Sequence, residues 1–169
     1  GFEACADGGL DLLLDLHEQV GVAVQVGHGV ATGLLLQRGL DLLAPNGLGI
    51  FIVPMGFMSD PKRRKLRETI LLGNHVATAF RLPSHLRLPD GRKREHFPGA
   101  HNVTDLIFFR RRAGLLAELD AEDVPIAEGR YFEMVPRHVL GDIDTSYRLA
   151  VIGPPVHLPE QESSRDDEA

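Results

Sequence analysis

The sequence has one cysteine, Cys5, and no tryptophan. A single thiol excludes an internal disulfide framework. Cys5 also lacks a neighbouring base, which argues against a nucleophile. A chain built without disulfides fits a reducing compartment, so a cytoplasmic location is expected. No uninterrupted apolar run is long enough to cross a bilayer, and no signal peptide is recognisable, so no membrane partner is expected. The eight histidines are scattered. His96 and His101 have no partner pair at ligand spacing, so no metal is expected. No segment repeats another. The first residue is Gly rather than Met, and the chain reads as an internal fragment, a processed product or a polypeptide with a trimmed start.

The 169 residues are enough for one domain with its own core. The net charge of −6 hides an asymmetry. Between Ser59 and Arg112 stand thirteen Lys/Arg and five Asp/Glu, a local balance of +8. The remainder has five Lys/Arg and nineteen Asp/Glu, a balance of −14. The basic surface is therefore confined to the centre of the chain.

The apolar pattern also concentrates there. Leu10–Val20 is Leu-rich with interspersed charges and reads as helix. The stretch from Gly21 to Gly33 reads as a flexible loop, because Gly27-His28-Gly29 lacks the fuller dinucleotide-binding pattern. Thr32 is placed to cap a helix over 33–43, with Leu36, Leu40 and Leu43 on one face. Pro45-Asn46-Gly47 turns the chain into Leu48–Pro54, an unbroken apolar run expected to be a strand covered on both faces. Ser59 or Asp60 then caps a basic helix over 61–72 with Pro61 at its first position. A second strand is expected over 75–82 and a third over 103–109. Residues 83–102 between them read as a long polar loop. A short acidic helix over 113–122 and a strand within 147–152 follow. Pro154–Ala169 is expected to be disordered.

The order of these segments resembles a known family. Pro45-Asn46-Gly47-Leu48-Gly49-Ile50-Phe51-Ile52-Val53-Pro54 is similar to the "PGG" turn and fifth strand of class I S-adenosylmethionine-dependent N6-adenine DNA methyltransferases. Arg81-Leu82-Pro83 follows a helix as it does there. Asn102-Val103-Thr104-Asp105-Leu106-Ile107-Phe108-Phe109 resembles the family's "T(D/N)ILFF" strand. Tyr131-Phe132, Pro136 and Val139-Leu140-Gly141 resemble a segment of methylase–helicase polypeptides. The resemblance spans residues 33–142. It implies an α/β fold, a partial Rossmann-like methyltransferase sheet holding the family's strands 5, 7 and 6 with flanking helices. In that sheet the Val103 strand lies antiparallel between the other two. The chain would divide into an N-terminal helix and Gly-rich loop (1–32), the distal half of the methyltransferase-like domain (33–112), a C-terminal extension (113–152) and an acidic tail (153–169).

The family's Gly-rich donor loop and its Asn-Pro-Pro-Tyr/Phe tetrapeptide are not in this sequence. The resemblance therefore implies S-adenosylmethionine as cofactor of the complete domain but none for this chain alone, and no catalytic residue is assigned. The implied partners are DNA and the missing N-terminal half or another subunit. The alternative is a non-catalytic nucleic-acid or protein interaction module, and a degraded gene product is a third reading. Arg87, Arg92, Lys93 and Arg94 beside Phe97 suit phosphate neutralisation plus stacking on an unpaired base, or else form a solvent loop. Met55 and Phe57 follow a strand's carboxyl end, where parallel sheets bind ligands, or else pack in the core. Lys62–Arg67 reads first as a solvated face. Arg110-Arg111-Arg112 reads as a strand-ending solubility cluster, and Tyr131 and Phe132 as anchors for the tail.

Overall fold

The computed structural model describes residues 23–25, 31–95, 102–146 and 149–155. The Leu10–Val20 helix, Gly27-His28-Gly29, Phe97 and the acidic tail after Pro155 lie outside these residues.

The first strand, β1 (Ala23–Gln25), falls within the stretch expected to be a flexible loop. It pairs parallel with β2 (Leu48–Pro54). Helix α1 (Ala31–Asp41) joins them into a βαβ unit, two residues ahead of its expected bounds, so Thr32 lies inside the helix. Leu36, Leu40 and, just beyond the helix, Leu43 are buried, as their spacing requires. Asn46 takes a positive φ of 65° in the turn before β2, a conformation Asn tolerates better than most residues.

After β2 a single turn, α2 (Gly56–Ser59), leads to a 3-10 turn at Pro61–Arg63 and to α3 (Arg64–Gly73). Asp60 is the cap: its Oδ1 accepts from the Lys62 amide at 2.9 Å. Strand β3 (Asn74–Arg81) follows directly. Strand β6 (Thr104–Arg111) then inserts between β2 and β3, antiparallel to both, giving the order β1-β2-β6-β3. This is the placement implied for the Val103 strand.

Helices α1 and α3 lie against each other, since a Cβ added at Gly33 would meet Leu66 Cδ2 at 2.9 Å. Leu36, Leu40, Phe51, Val53, Ile70, Leu71, Ile107 and Phe109 form a single core with them. Each such side chain contributes about 1.5–3 kcal/mol when fully buried. The opposite sheet face is different. Ile50, Ile52, Phe80, Leu106 and Phe108 are only half-buried. The expectation that β2 is covered on both faces is thereby corrected. Its burial alternates residue by residue, so an unbroken apolar run here reflects a half-covered strand.

The expected helix over 113–122 is absent. Leu116 donates its amide to Leu72 O at 2.9 Å, so this segment runs along the end of α3 and its amide serves α3's orphan carbonyl. Short helices α4 (Val124–Ala127) and α5 (Tyr131–Met134) and a 3-10 turn at Pro136–His138 come after it. They cover the outer edge of β3. Tyr131 Oη accepts from the Ala79 amide at 2.9 Å, and the Leu140 amide donates to Arg81 O at 2.9 Å.

Residues 83–102 are not a featureless loop. They contain a hairpin, β4 (His85–Arg87) and β5 (Lys93–Glu95). Strands β7 (Asp142–Asp144) and β8 (Ala150–Pro155) complete a second sheet of order β5-β4-β8-β7. The C-terminal strand extends through Pro154 and Pro155, past the expected start of the tail.

Candidate nucleic-acid interface

The hairpin is where the basic residues gather. Leu88-Pro89-Asp90-Gly91 forms its turn: the Gly91 amide donates to Leu88 O at 2.9 Å, and Gly91 has φ of 82°. Pro at the second position and Gly at the left-handed position are what such a turn requires. Asp90 tightens it, accepting from the Arg92 amide at 2.9 Å and from Arg92 Nε at 2.6 Å.

Arg87 and Lys93 are Cα partners in the hairpin and so share a sheet face. Both reach carboxylates of β7: Arg87 NH2 lies 3.3 Å from Asp142 Oδ2, and Lys93 Nζ lies 2.6 Å from Asp144 Oδ2. The second contact joins the two outer strands of this sheet. The hydrogen bond from Lys93, then those from Ser146, hold the Asp144 carboxyl well below the usual carboxylate range. Arg94 points to the opposite face and is exposed, with no ion pair among the described residues. Of the five residues assigned to nucleic acid from the sequence, the hairpin thus collects Arg87, Lys93 and Arg94 on its strands and Arg92 in its turn. Three of these are engaged with the chain's own aspartates. Asp142 and Asp144 escaped the sequence reading. Their alternation, Asp-Ile-Asp, spans only three residues, too short to register as a strand.

The carboxyl end of β2 holds a second polar cluster. Arg81 grips Asp105 with two bonds, Nε to Oδ1 at 2.8 Å and NH2 to Oδ2 at 3.0 Å. Its NH2 also donates to Ser59 Oγ at 2.7 Å, and its guanidinium lies 4.2 Å from the centroid of the Phe132 ring. Asp105 is fully buried, and burial raises its carboxyl's affinity for a proton while Arg81 opposes the effect. Phe57, in α2 just after this strand, is buried in the core at 2% exposed, and Met55, between β2 and α2, is half-buried.

The basic segment after β2 divides. Lys62, Arg64 and Lys65 are exposed, and Arg64 pairs with Glu68 at 2.8 Å. Arg67 turns inward and is 1% exposed. It donates from Nε to Ala127 O at 2.8 Å and from NH1 to Phe57 O at 2.7 Å and Asp60 O at 3.0 Å. Desolvation lowers its hold on the proton. Gly129, with φ of 86°, is pressed against this guanidinium: a Cβ there would lie 3.0 Å from Arg67 NH2.

The terminal arginines of β6 are likewise tied to the chain. Arg111 NH1 donates to Leu40 O at 2.7 Å. Arg112 pairs with Asp120 at 3.1 Å and with the buried Asp123. They border a cleft of about 320 Å³ at the opposite end of the sheet, together with Gln37, Asp41 and Asn74. Among the described residues, no three His, Cys, Asp or Glu side chains come together in a way that would hold a metal ion. No helix among them is long and apolar enough to cross a membrane.

The described residues form a mixed α/β arrangement with two four-stranded sheets. No protein family and no curated protein matches the sequence. Among solved structures, the chain is similar to the M protein of the type I restriction enzyme EcoKI, at 19% identity and a TM-score of 0.44. That alignment covers 62% of this chain and 23% of the M protein, so the chain spans less than a quarter of that relative. It is also similar to a putative hemolysin from Streptococcus thermophilus, at 12% identity and a TM-score of 0.34, over 73% of this chain and 48% of that one. Neither likeness assigns a function.

Proposed function

We propose that the chain is the distal part of an N6-adenine DNA methyltransferase-like domain that contributes sheet and DNA-facing loops and no chemistry of its own. The observation that carries this reading is the antiparallel seat of β6 between β2 and β3, beside a parallel β1–β2 pair. It is the arrangement that the resemblance of Pro45–Pro54 and Asn102–Phe109 implies. On this reading DNA is the partner of Arg87, Arg92, Lys93, Arg94 and Phe97, and Met55 lies at the rim of the base-side wall.

S-adenosylmethionine does not fit the residues present at the carboxyl end of β2. Ser59, Arg81 and Asp105 satisfy one another, with Asp105 fully buried and Arg81 nearly so, which leaves their polar groups committed within the chain. No step of methyl transfer is therefore assigned to this chain. The donor pocket and the adenine clamp belong to a partner carrying the Gly-rich turn and Asn-Pro-Pro-Tyr/Phe. The test is transfer of labelled methyl groups from S-adenosylmethionine to DNA by the purified chain. The expected result is no transfer by the chain alone and transfer after addition of such a partner. Transfer by the chain alone would refute the reading.

The second reading, a non-catalytic interaction module, is favoured by the engagement of Arg87 and Lys93 with Asp142 and Asp144. It predicts no methyl transfer with any partner.

A further inference from the structure

We propose that β7 acts as an intramolecular phosphate mimic, its Asp142 and Asp144 occupying the hairpin cations that a nucleic-acid backbone would otherwise contact. The proposal rests on the nucleic-acid reading of the hairpin given above and adds a control element to it.

Asp142 and Asp144 are alternate residues of one strand and so lie on one face, about 6.6 Å apart along it. Each faces a different cation of the hairpin, Arg87 at 3.3 Å and Lys93 at 2.6 Å. A row of regularly spaced anions against a row of cations is the pattern a phosphate backbone presents. The two aspartates arrive from a segment 51 or more residues further along the chain, so the contact is tertiary and separable from the hairpin itself. Both pairs are at the surface, where ion pairs are weak and screened by salt, so a polyanion can compete for the same cations. Arg92 is held by Asp90 within the turn and Arg94 lies on the other face, which leaves Arg87 and Lys93 as the cations β7 controls.

The mask makes a quantitative claim. Freeing two cations adds two phosphate contacts. The slope of log K against log salt should then steepen by about 1.8 for duplex DNA and about 1.4 for a single strand. The experiment is fluorescence anisotropy of a labelled single-stranded and a labelled duplex oligonucleotide with the full chain over a series of salt concentrations. Four proteins are compared: the unaltered chain, Asp142→Asn with Asp144→Asn, Arg87→Gln with Lys93→Gln, and a charge-matched control, Glu118→Gln with Glu122→Gln. The control residues are exposed and remote from β7 in sequence. Circular dichroism establishes that all four are folded.

Tighter binding and a steeper slope in the aspartate variant alone support the mask. Equal tightening in the control means that net charge is responsible, and overturns it. Binding that Arg87→Gln with Lys93→Gln weakens, but that the aspartate variant leaves unchanged, overturns the mask and leaves the hairpin reading standing. Absence of binding by every variant in low salt overturns the hairpin reading and the mask with it.

Discussion

At the scale of single residues, the clearest feature is that arginine serves here as a fastener. Arg67, Arg81 and Arg112 each join segments that are distant in sequence, Arg112 through Leu71 O and Asn74 O. Arg67 and Arg112 belong to runs that the sequence alone assigns to a solvated face or a solubility cluster, and Arg81 lies in the same basic stretch. A guanidinium offers five donors in a fixed fork, so it can satisfy several carbonyls or a carboxylate while its own charge is withdrawn from water. The Arg81–Asp105 pair allows a sharp test. Burial raises the Asp105 proton affinity in the folded state, with Arg81 opposing. A raised folded value means that this group's stabilising contribution is complete below the unfolded value of about 3.9 and is lost as pH rises through the folded value. Arg81→Met removes the opposing charge and leaves Asp105 buried and unpaired. The expected loss at pH 7 is about 3–5 kcal/mol, and it should shrink as the pH falls and Asp105 protonates. Urea unfolding at pH 7 and pH 4 checks this; equal losses at both would refute it.

At the scale of elements, most of the first sheet was legible. Leu48–Pro54 and the run ending at Phe109 are apolar enough that only a strand in a core accounts for them. The hairpin was not read, although Pro89-Asp90-Gly91 is a turn signal. Its strands have only three residues each and are rich in charge, so periodicity had too little length to register. The segment after Arg112 was misread in the other direction. Leu115, Leu116 and Leu119 fall at helical spacing, yet the Leu116 amide is committed to Leu72 O and Leu115 is exposed. Helix propensity gave way there to capping of α3. The role of α5 as cover for β3 yields a further prediction. Tyr131→Phe removes the hydroxyl that accepts from the Ala79 amide and contacts His138 Nδ1. It should cost about 1–3 kcal/mol, because a strand-edge amide is left buried without a partner. Hydrogen exchange should show faster exchange at Ala79 in particular; unchanged protection there would remove Tyr131 as the edge cover.

At the scale of the whole molecule, the C-terminal region is interleaved with the centre of the chain. It covers the β3 edge and supplies two strands to the second sheet. A chain ended at Arg112 would lose Tyr131, Leu140, β7 and β8 together. An uncovered edge strand is a template for pairing with another chain. The shortened chain should therefore self-associate more than the full chain at equal concentration, measured by light scattering after size exclusion. Identical mass distributions would show that the C-terminal region is dispensable as cover.

What the amino-acid order determined by itself is the set of apolar strands, the helix faces that meet them and the confinement of the net positive balance to residues 59–112. These follow from periodicity and composition, which are local and survive without coordinates. What only the tertiary structure decided is which charges are free. Arg67 faces inward, Arg81 is locked to Asp105, and Arg87 and Lys93 meet aspartates some fifty residues away. An ion pair depends on distance in space, and distance in space between remote segments is fixed only once both sheets have closed.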